Sequence, residues 1–519
     1  MEQLNKNSSV AHRYAELEAH RETYLTRARA SAKLTIPMLV PEKGHSADTV
    51  FDTPFQSVGA RGVNNLASKL LLALLPPNSP FFRLTIDDAT MAALGQEKVG
   101  AVEAGLAQLE RQAMSELETS AARVPVYEAL RNLIVTGNAL MYIPKDGNIR
   151  VFRLDRFVVK RDAMGNVLEV ITKETVSPRS LPQTHLDVLQ EKGEGLDKSY
   201  DLYTRCCLKE GRWDIYQEVG GEIVESTRGD LPKDKSPFIP LRFIRIDGED
   251  YGRGYVEEFY GDLSSLEALT RAIVEGSAAS SKVLFMVRPN GTTKVSALAK
   301  ADNGAFIQGT AEDVNVLQMN KVGDFRVTQQ TAAEITDRLA FAFLLNSSVQ
   351  RDAERVTAEE VRFMAQELES ALGGVYSILS QELQMPMIKL IMNRLESQGK
   401  LPKLPKDTLK PSIITGLEAL GRGQDLNKLA TFLKFLQPLG ADVLAKEMNI
   451  DDYIDRLGAS LGIDTRGLIK SMEQKQMEAQ QAAQAQQAQM MQEAISQMAQ
   501  KATPAVAKGV VDQQMQPTQ

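Results

Sequence analysis

Residues 341–389, FAFLLNSSVQRDAERVTAEEVRFMAQELESALGGVYSILSQELQMPMIK, constrain the fold of this chain more than any other stretch. A loop bearing Arg351 and Arg355 runs into a helix far longer than the usual three turns. Thr357 and Glu360 mark its start. A threonine hydroxyl can accept an orphan N–H of the first turn while a glutamate three residues on reaches back. Apolar residues recur at Val361, Met364, Leu368, Leu372, Val375, Leu379 and Leu383, so one stripe is buried. Gly373-Gly374 predicts a hinge in mid-helix and Pro386 a kink near its end. Glycine loosens the helical backbone, and proline deletes a ladder hydrogen bond. A cationic loop on such a lever suits a moving assembly better than a substrate pocket.

The chain's 519 residues allow about two to four domains with ample core. Its net charge of −7 argues against a dedicated DNA-gripping protein, which is normally basic. It leaves open a protein through which DNA slides, because at physiological salt only charges within about 8 Å of the path matter. Two adjacent cysteines, Cys206 and Cys207, cannot staple a framework of this size, and reduced thiols are expected. Residues 1–10 are polar, so no secretory leader is expected. The strongest apolar run, 66–75, is too short to span a bilayer, contains Lys69 and stops at Pro76-Pro77. It reads as a buried helix, and no membrane partner is expected.

Residues 1–75 read as helical, with an irregular link marked by Pro37, Pro41, Gly44 and Pro54. An acidic helical stretch follows over 89–121, and a further helix over 126–136. From 139 to 246 the apolar period changes to two. Candidate strands are 139–143, 149–154, 157–161, 167–172, 201–208, 213–219 and 222–225. Gly165-Asn166, Gly211 and Gly220-Gly221 stand where tight turns are needed. The expectation is an antiparallel β insert in a predominantly helical α+β protein, with the single Trp213 packed in its sheet. Helix resumes over 263–282, a Gly/Pro-punctuated β-rich excursion covers 283–325, and helix returns over 326–343. This order predicts an antiparallel helix pair carrying a β knob. A Lys/Pro linker (401–411) leads to a small helical domain (416–470). Residues 472–502 are a Gln/Ala/Met tract: either a helix stabilised by neighbouring copies or disorder.

Catalytic signatures are missing. The sequence holds no GxxxxGK[ST] phosphate loop, no HExxH and no GxSxG elbow. Its four histidines, His12, His20, His45 and His185, lack metal-ligand spacing. No enzyme activity, cofactor or metal is expected.

Four blocks, 54–77, 245–269, 346–384 and 415–426, resemble the portal (head-to-tail connector) proteins of short-tailed, podovirus-type bacteriophages. With the order of elements between them, the similarity covers most of residues 10–470. Gly254 stands where family members often carry Ser, and Ser348 where they often carry Ala. The resemblance implies a ring, usually of twelve subunits, at one capsid vertex. It implies a wing at 1–260 and 344–400, with the β insert at about 139–246. Stem helices would be 261–282 and 326–343, and the clip 283–325. Linker and crown would follow at 401–470, a barrel helix at 471–503 and a flexible tail at 504–519. Implied partners are identical copies, the terminase packaging motor, a tail adaptor protein, the major capsid and scaffolding proteins, and double-stranded DNA read without sequence specificity. The virion is the expected location, after assembly in the host cytoplasm.

Carried onto this chain, residues 345–356 would form the DNA channel loop, with Asn346, Gln350, Arg351 and Arg355 as contacts. Arginine can touch phosphate without reading sequence. Asp352 and Glu354 balance the two arginines, which suits a sliding contact; the same residues could equally pair among themselves or with neighbouring copies. The clip is mildly basic, and Arg288, Lys294 and Lys300 are its candidate docking residues. A different class of function, a nucleic-acid-binding scaffold with a coiled-coil tail, predicts salt-sensitive DNA binding and no closed ring.

Overall fold

The computed structural model describes residues 9–46, 48–77, 80–85, 96–191, 195, 197–280, 284–302, 304–317, 322–345, 358–400, 412–415 and 422–440, with isolated positions between 448 and 493. Its contacts divide the chain into two units, Met1–Gly423 and Gln424–Gln519.

In the first unit, helix α1 (Val10–Lys33) begins where Ser9 accepts the His12 N–H. The Glu218 carboxylate takes the next free donors, at 2.5 Å from Val10 N and 3.1 Å from Ala11 N. A negative group at a helix N-terminus satisfies orphan amides and complements the dipole. The helix is thereby tied to a sheet two hundred residues away. Helix α2 (Val58–Leu74) carries the strongest apolar run, and Val63, Leu66, Ala67, Leu70, Ala73 and Leu74 are fully buried. It is the centre of the main core, as the sequence predicts for that run. No described helix is long and apolar enough to cross a membrane. Strand β1 (Phe82–Thr85) is followed by α3 (Gln96–Thr119) and α4 (Arg123–Thr136), which pack on this core through Leu109, Ala113, Leu130 and Leu133.

The expected β region is present and wholly antiparallel, but it forms two sheets. Strand β2 (Asn138–Tyr142) lies between β3 (Arg150–Phe152) and β9 (Phe238–Arg242). Between them in sequence come β4 (Phe157–Arg161), β5 (Val167–Val176), helix α5 (Gln183–Glu191), β6 (Tyr200–Lys209), β7 (Arg212–Val219) and β8 (Glu222–Pro232). The strands β4 to β8 pair in chain order as a five-stranded meander. Gly220 and Gly221, at φ 61° and 83°, make the two-residue turn between β7 and β8 that such a hairpin needs. Trp213 is buried in this sheet and its indole N–H donates to Lys233 O at 2.9 Å. Cys206 and Cys207 are free and buried; desolvation pushes the Cys206 thiol up to about 12, so it stays protonated.

Helix α6 (Tyr260–Ser280) and helix α7 (Val322–Ala342) run antiparallel. Asp262 pairs with Arg338 at 3.0 Å near one end, and at the other a Cβ on Gly276 would lie 2.6 Å from the Phe325 ring. Between the helices sits a small module in which β10 (Leu284–Val287) pairs with β11 (Val314–Leu317). The pair exposes Val274, Val327 and Phe341, more apolar surface than an isolated hairpin of helices should leave in water.

The single kinked helix expected after this pair is instead broken. Helix α8 (Ala358–Ala371) ends at Gly373 and Gly374, whose φ values of 58° and 90° are both left-handed. A short α9 (Val375–Leu379) continues through a π turn (Ser380–Gln384) into α10 (Met385–Ser397). Pro386 falls in the first turn of α10, where its missing N–H costs little, and the π turn before it absorbs the change in hydrogen-bond register. A second correction concerns 412–415, expected at the edge of the linker and the last helical domain. Strand β12 (Ser412–Thr415) pairs with β1, with Phe82 opposite Thr415. Helix α11 (Arg422–Leu436) begins at the division between the units, and within the second unit the Tyr453 hydroxyl donates to Leu429 O at 3.4 Å.

Candidate functional site

The proposed channel-loop residues Asn346, Gln350, Arg351 and Arg355 lie outside the described residues, but the point from which their segment departs is well defined. Helix α7 closes with a Schellman turn. Leu345 N donates to Ala340 O at 2.8 Å and Leu344 N to Phe341 O at 3.1 Å, with Leu344 left-handed at φ 55°. Leucine there costs roughly 1–2 kcal/mol that glycine would not. The surroundings hold it in place.

Three carbonyls that a helix end leaves without intrahelical partners are each met by a side chain. The Tyr255 hydroxyl donates to Ala342 O at 2.9 Å. Both hydrogens of the Asn65 amide are used, on Phe343 O and Leu344 O at 3.0 Å each. The Lys69 ammonium donates to Leu344 O at 3.0 Å, placing a cation at the negative end of α7. Desolvation lowers the Lys69 pKa, opposed by the charge of Glu367. Beneath the turn, Phe343 is fully buried against Gly62, where a Cβ would lie 2.5 Å from the ring. Phe343 meets Tyr255 edge-on at 5.6 Å and Phe259 at 5.8 Å. Burial raises Tyr255 to about 12, so it remains a donor through the neutral range.

Asn65, Lys69 and Tyr255 therefore anchor the end of α7, a role that the sequence pattern does not announce. One signal existed. A lysine inside an otherwise apolar helix demands a partner, and Leu344 O at the end of α7 provides one.

Gly373 and Gly374 sit at the far end of α8 from this root. Gly374 N reaches back to Glu369 O at 3.2 Å, and the Glu369 carboxylate accepts from Ser377 N at 3.0 Å. One acidic side chain from α8 thus caps the start of α9 across the break. A Cβ at Gly373 would meet nothing within 4 Å. The position demands glycine for its backbone angle and not for space.

Arg288, Lys294 and Lys300 are all exposed on the β10–β11 module. What organises the module is Asp313. Its Oδ2 accepts from the hydroxyls of Thr310 at 2.9 Å, Thr292 at 3.1 Å and Thr293 at 3.2 Å, and from Thr293 N at 3.2 Å. These bonds, that from Thr310 foremost, hold the carboxyl below its ordinary pKa. Phe285, Met286, Val295 and Phe306 are exposed around it. No group of three or more His, Cys, Asp or Glu residues that could hold a metal occurs among the described residues.

The family model described as bacteriophage head to tail connecting protein matches residues 7–469. The chain is 43% identical over 505 residues to the portal protein of Escherichia phage T7, covering 94% of each. It is 43% identical over 476 residues to that of Enterobacteria phage T3, covering 89% of this chain and 88% of the relative. Identity is 31% over 524 residues with that of Enterobacteria phage SP6, covering 99% and 98%.

Proposed function

This chain belongs to the bacteriophage head-to-tail connecting protein family, and from that premise we propose that it is the portal protein of a short-tailed phage. Copies of it form a ring at one capsid vertex, through which double-stranded DNA enters during packaging and leaves during ejection. The ring is also the docking platform, first for the packaging motor and then for the tail. The observation that carries this reading is similarity along almost the whole chain to proteins named as portals. Portal function resides in the complete ring, so end-to-end coverage matters more here than a matching motif.

The finer assignments are ours. Helices α6 and α7 are the stem, and their exposed Val274, Val327 and Phe341 are covered by neighbouring copies in a ring of twelve. The β10–β11 module is the clip, held in shape by Asp313 and offering Arg288, Lys294 and Lys300 to the terminase motor and the tail adaptor. Helix α1, the two β sheets and α8 to α10 belong to the wing, where the capsid and scaffolding proteins bind. The loop that leaves the Lys69-held root carries Arg351 and Arg355 to the lumen, where they touch phosphate without sequence preference. The protein is a passive conduit of the virion, and a separate ATPase drives the DNA.

Negative-stain microscopy of the purified chain, alone and with capsid and scaffolding proteins, tests the reading. Rings with a central hole are expected, and particles lacking the chain should contain no DNA. Compact monomers under every condition, together with normal packaging in its absence, would refute it.

A further inference from the structure

A cleft of about 460 Å³ opens where the β4–β5 hairpin, strand β9 and the π turn meet. Five cations, Arg161, Lys233, Arg242, Arg245 and Lys389, line it against only two carboxylates, Asp234 and Glu382. Such an excess of one charge in a partly enclosed space is costly unless a counter-ion enters.

The arginines differ in what they already hold. Arg161 uses each of its three nitrogens, donating to Asp250 O, Gly165 O and Pro240 O at 2.9–3.0 Å. Burial, then the charge of Arg242, brings its pKa down to about 10. Arg242 has a side chain only 4% exposed and one short ion pair, Nη2 to Glu382 Oε1 at 3.0 Å. Its Nε has no hydrogen-bond partner among the described residues. Arg245 reaches the same Glu382 oxygen only at 3.8 Å and is about half exposed. One carboxylate therefore serves two guanidinium groups.

Those two groups converge on Gly165. A Cβ added there would stand 3.4 Å from Nη2 of Arg242 and 3.4 Å from Nη2 of Arg245. Its φ of 83° keeps the position open, because L side chains rarely adopt that angle. Without a side chain at Gly165, the tips of both arginines lie together against this turn on the wall of the cleft.

We propose that this cleft is a binding site for a small oxyanion of the phosphate class, held by Arg242 and Arg245 with Lys389 closing from α10. Planar guanidinium groups match tetrahedral oxyanions through paired N–H donors, and Glu382 keeps both aimed. Bound anion would fasten the β4–β5 hairpin to the π turn. The anion is either a free ion or a phosphate of the nucleic-acid backbone; both present the same oxygens.

Calorimetric titration of the purified full-length chain tests this, with inorganic phosphate and with a short DNA duplex, against sodium chloride of equal ionic strength. Saturable binding of phosphate is expected, weakened about tenfold or more in Arg245→Gln and in Lys389→Gln. Both residues are exposed enough for the fold to survive. Duplex binding with the same sensitivity to the variants assigns the backbone as the source, and phosphate binding alone assigns the free ion. No phosphate binding beyond chloride, or binding unchanged in both variants, overturns the proposal.

Discussion

Replacing Gly373 and Gly374 together with alanine should loosen the start of α9 by an amount that the backbone angles set. Both positions are left-handed, at φ 58° and 90°. An L residue there costs about 1–2 kcal/mol, so the pair costs about 2–4 kcal/mol, less if the neighbours relax together. Steric clash adds little, since the nearest atom to a new Cβ is Glu369 Oε1 at 4.0 Å from position 374. The variant can escape strain by running α8 straight into α9. That route gains roughly 1 kcal/mol per Gly→Ala in helix propensity. It would break the cap from Glu369 to Ser377 N and displace Tyr376, fully buried with its hydroxyl 3.3 Å from Ala73 O. Strain in place is therefore the better bargain. Amide hydrogen exchange over Val375–Leu379 reads the result directly, because local opening responds to local free energy. About 2–4 kcal/mol corresponds to acceleration by roughly 30- to 1,000-fold. In particles, the same variant should alter DNA packaging or retention. Unchanged exchange and unchanged particles would refute both the strain argument and the idea that this break sets the position of the channel loop.

Lys69→Met should flatten the alkaline pH dependence of stability. A lysine whose folded pKa lies below the ordinary value binds fewer protons when folded, so stability rises as pH climbs through that folded value toward 10.5. Denaturant midpoints measured across this window should show the rise in the parent and lose it in the variant. Asp313→Asn should reduce exchange protection within residues 288–314. In the parent, protection of this module should hold above the ordinary aspartate pKa and fall as pH drops through the depressed one. Arg351→Ala with Arg355→Ala should leave ring assembly intact and change only DNA passage, scored as packaged length or leakage; loss of rings would assign these arginines to structure.

Local signals were legible wherever the physics is local. Within the meander, β4–β5, β6–β7 and β7–β8 could be read because alternation and turn glycines sit within each hairpin, and α2 because its apolar run admits no other element. Pairings distant in sequence left no trace. Strand β9 closes on β2 from about a hundred residues away, and β12 reaches β1 across more than three hundred. Neither short strand has enough alternation to announce itself. The glycine pair was read as a kink because one loose residue bends a helix. Two successive left-handed residues end it, closed by the bond from Gly374 N to Glu369 O. Lys69 was noticed only as an argument against a membrane span, since its partner is a carbonyl at residue 344.

The end of α7 and the glycine pair bound the segment on which the proposed mechanism depends. At one end Leu344 is left-handed because Asn65, Lys69 and Tyr255 hold the closing carbonyls of α7. At the other, Gly373 and Gly374 are left-handed and Glu369 ties across the break. A reversal of handedness is a discrete event, so each boundary is sharp and does not drift along the helix. The outer sides of both boundaries are pinned in the main core by Phe343 and Tyr376. Between them Met364, Ala365 and Leu368 seat α8 in the same core, so a proposed motion of Arg351 and Arg355 that uses the glycine break has to shift this packing too. The root, with three side-chain donors, resists it more than the glycine break, whose cap is one exposed carboxylate to Ser377. We propose that the glycine break is the end that yields.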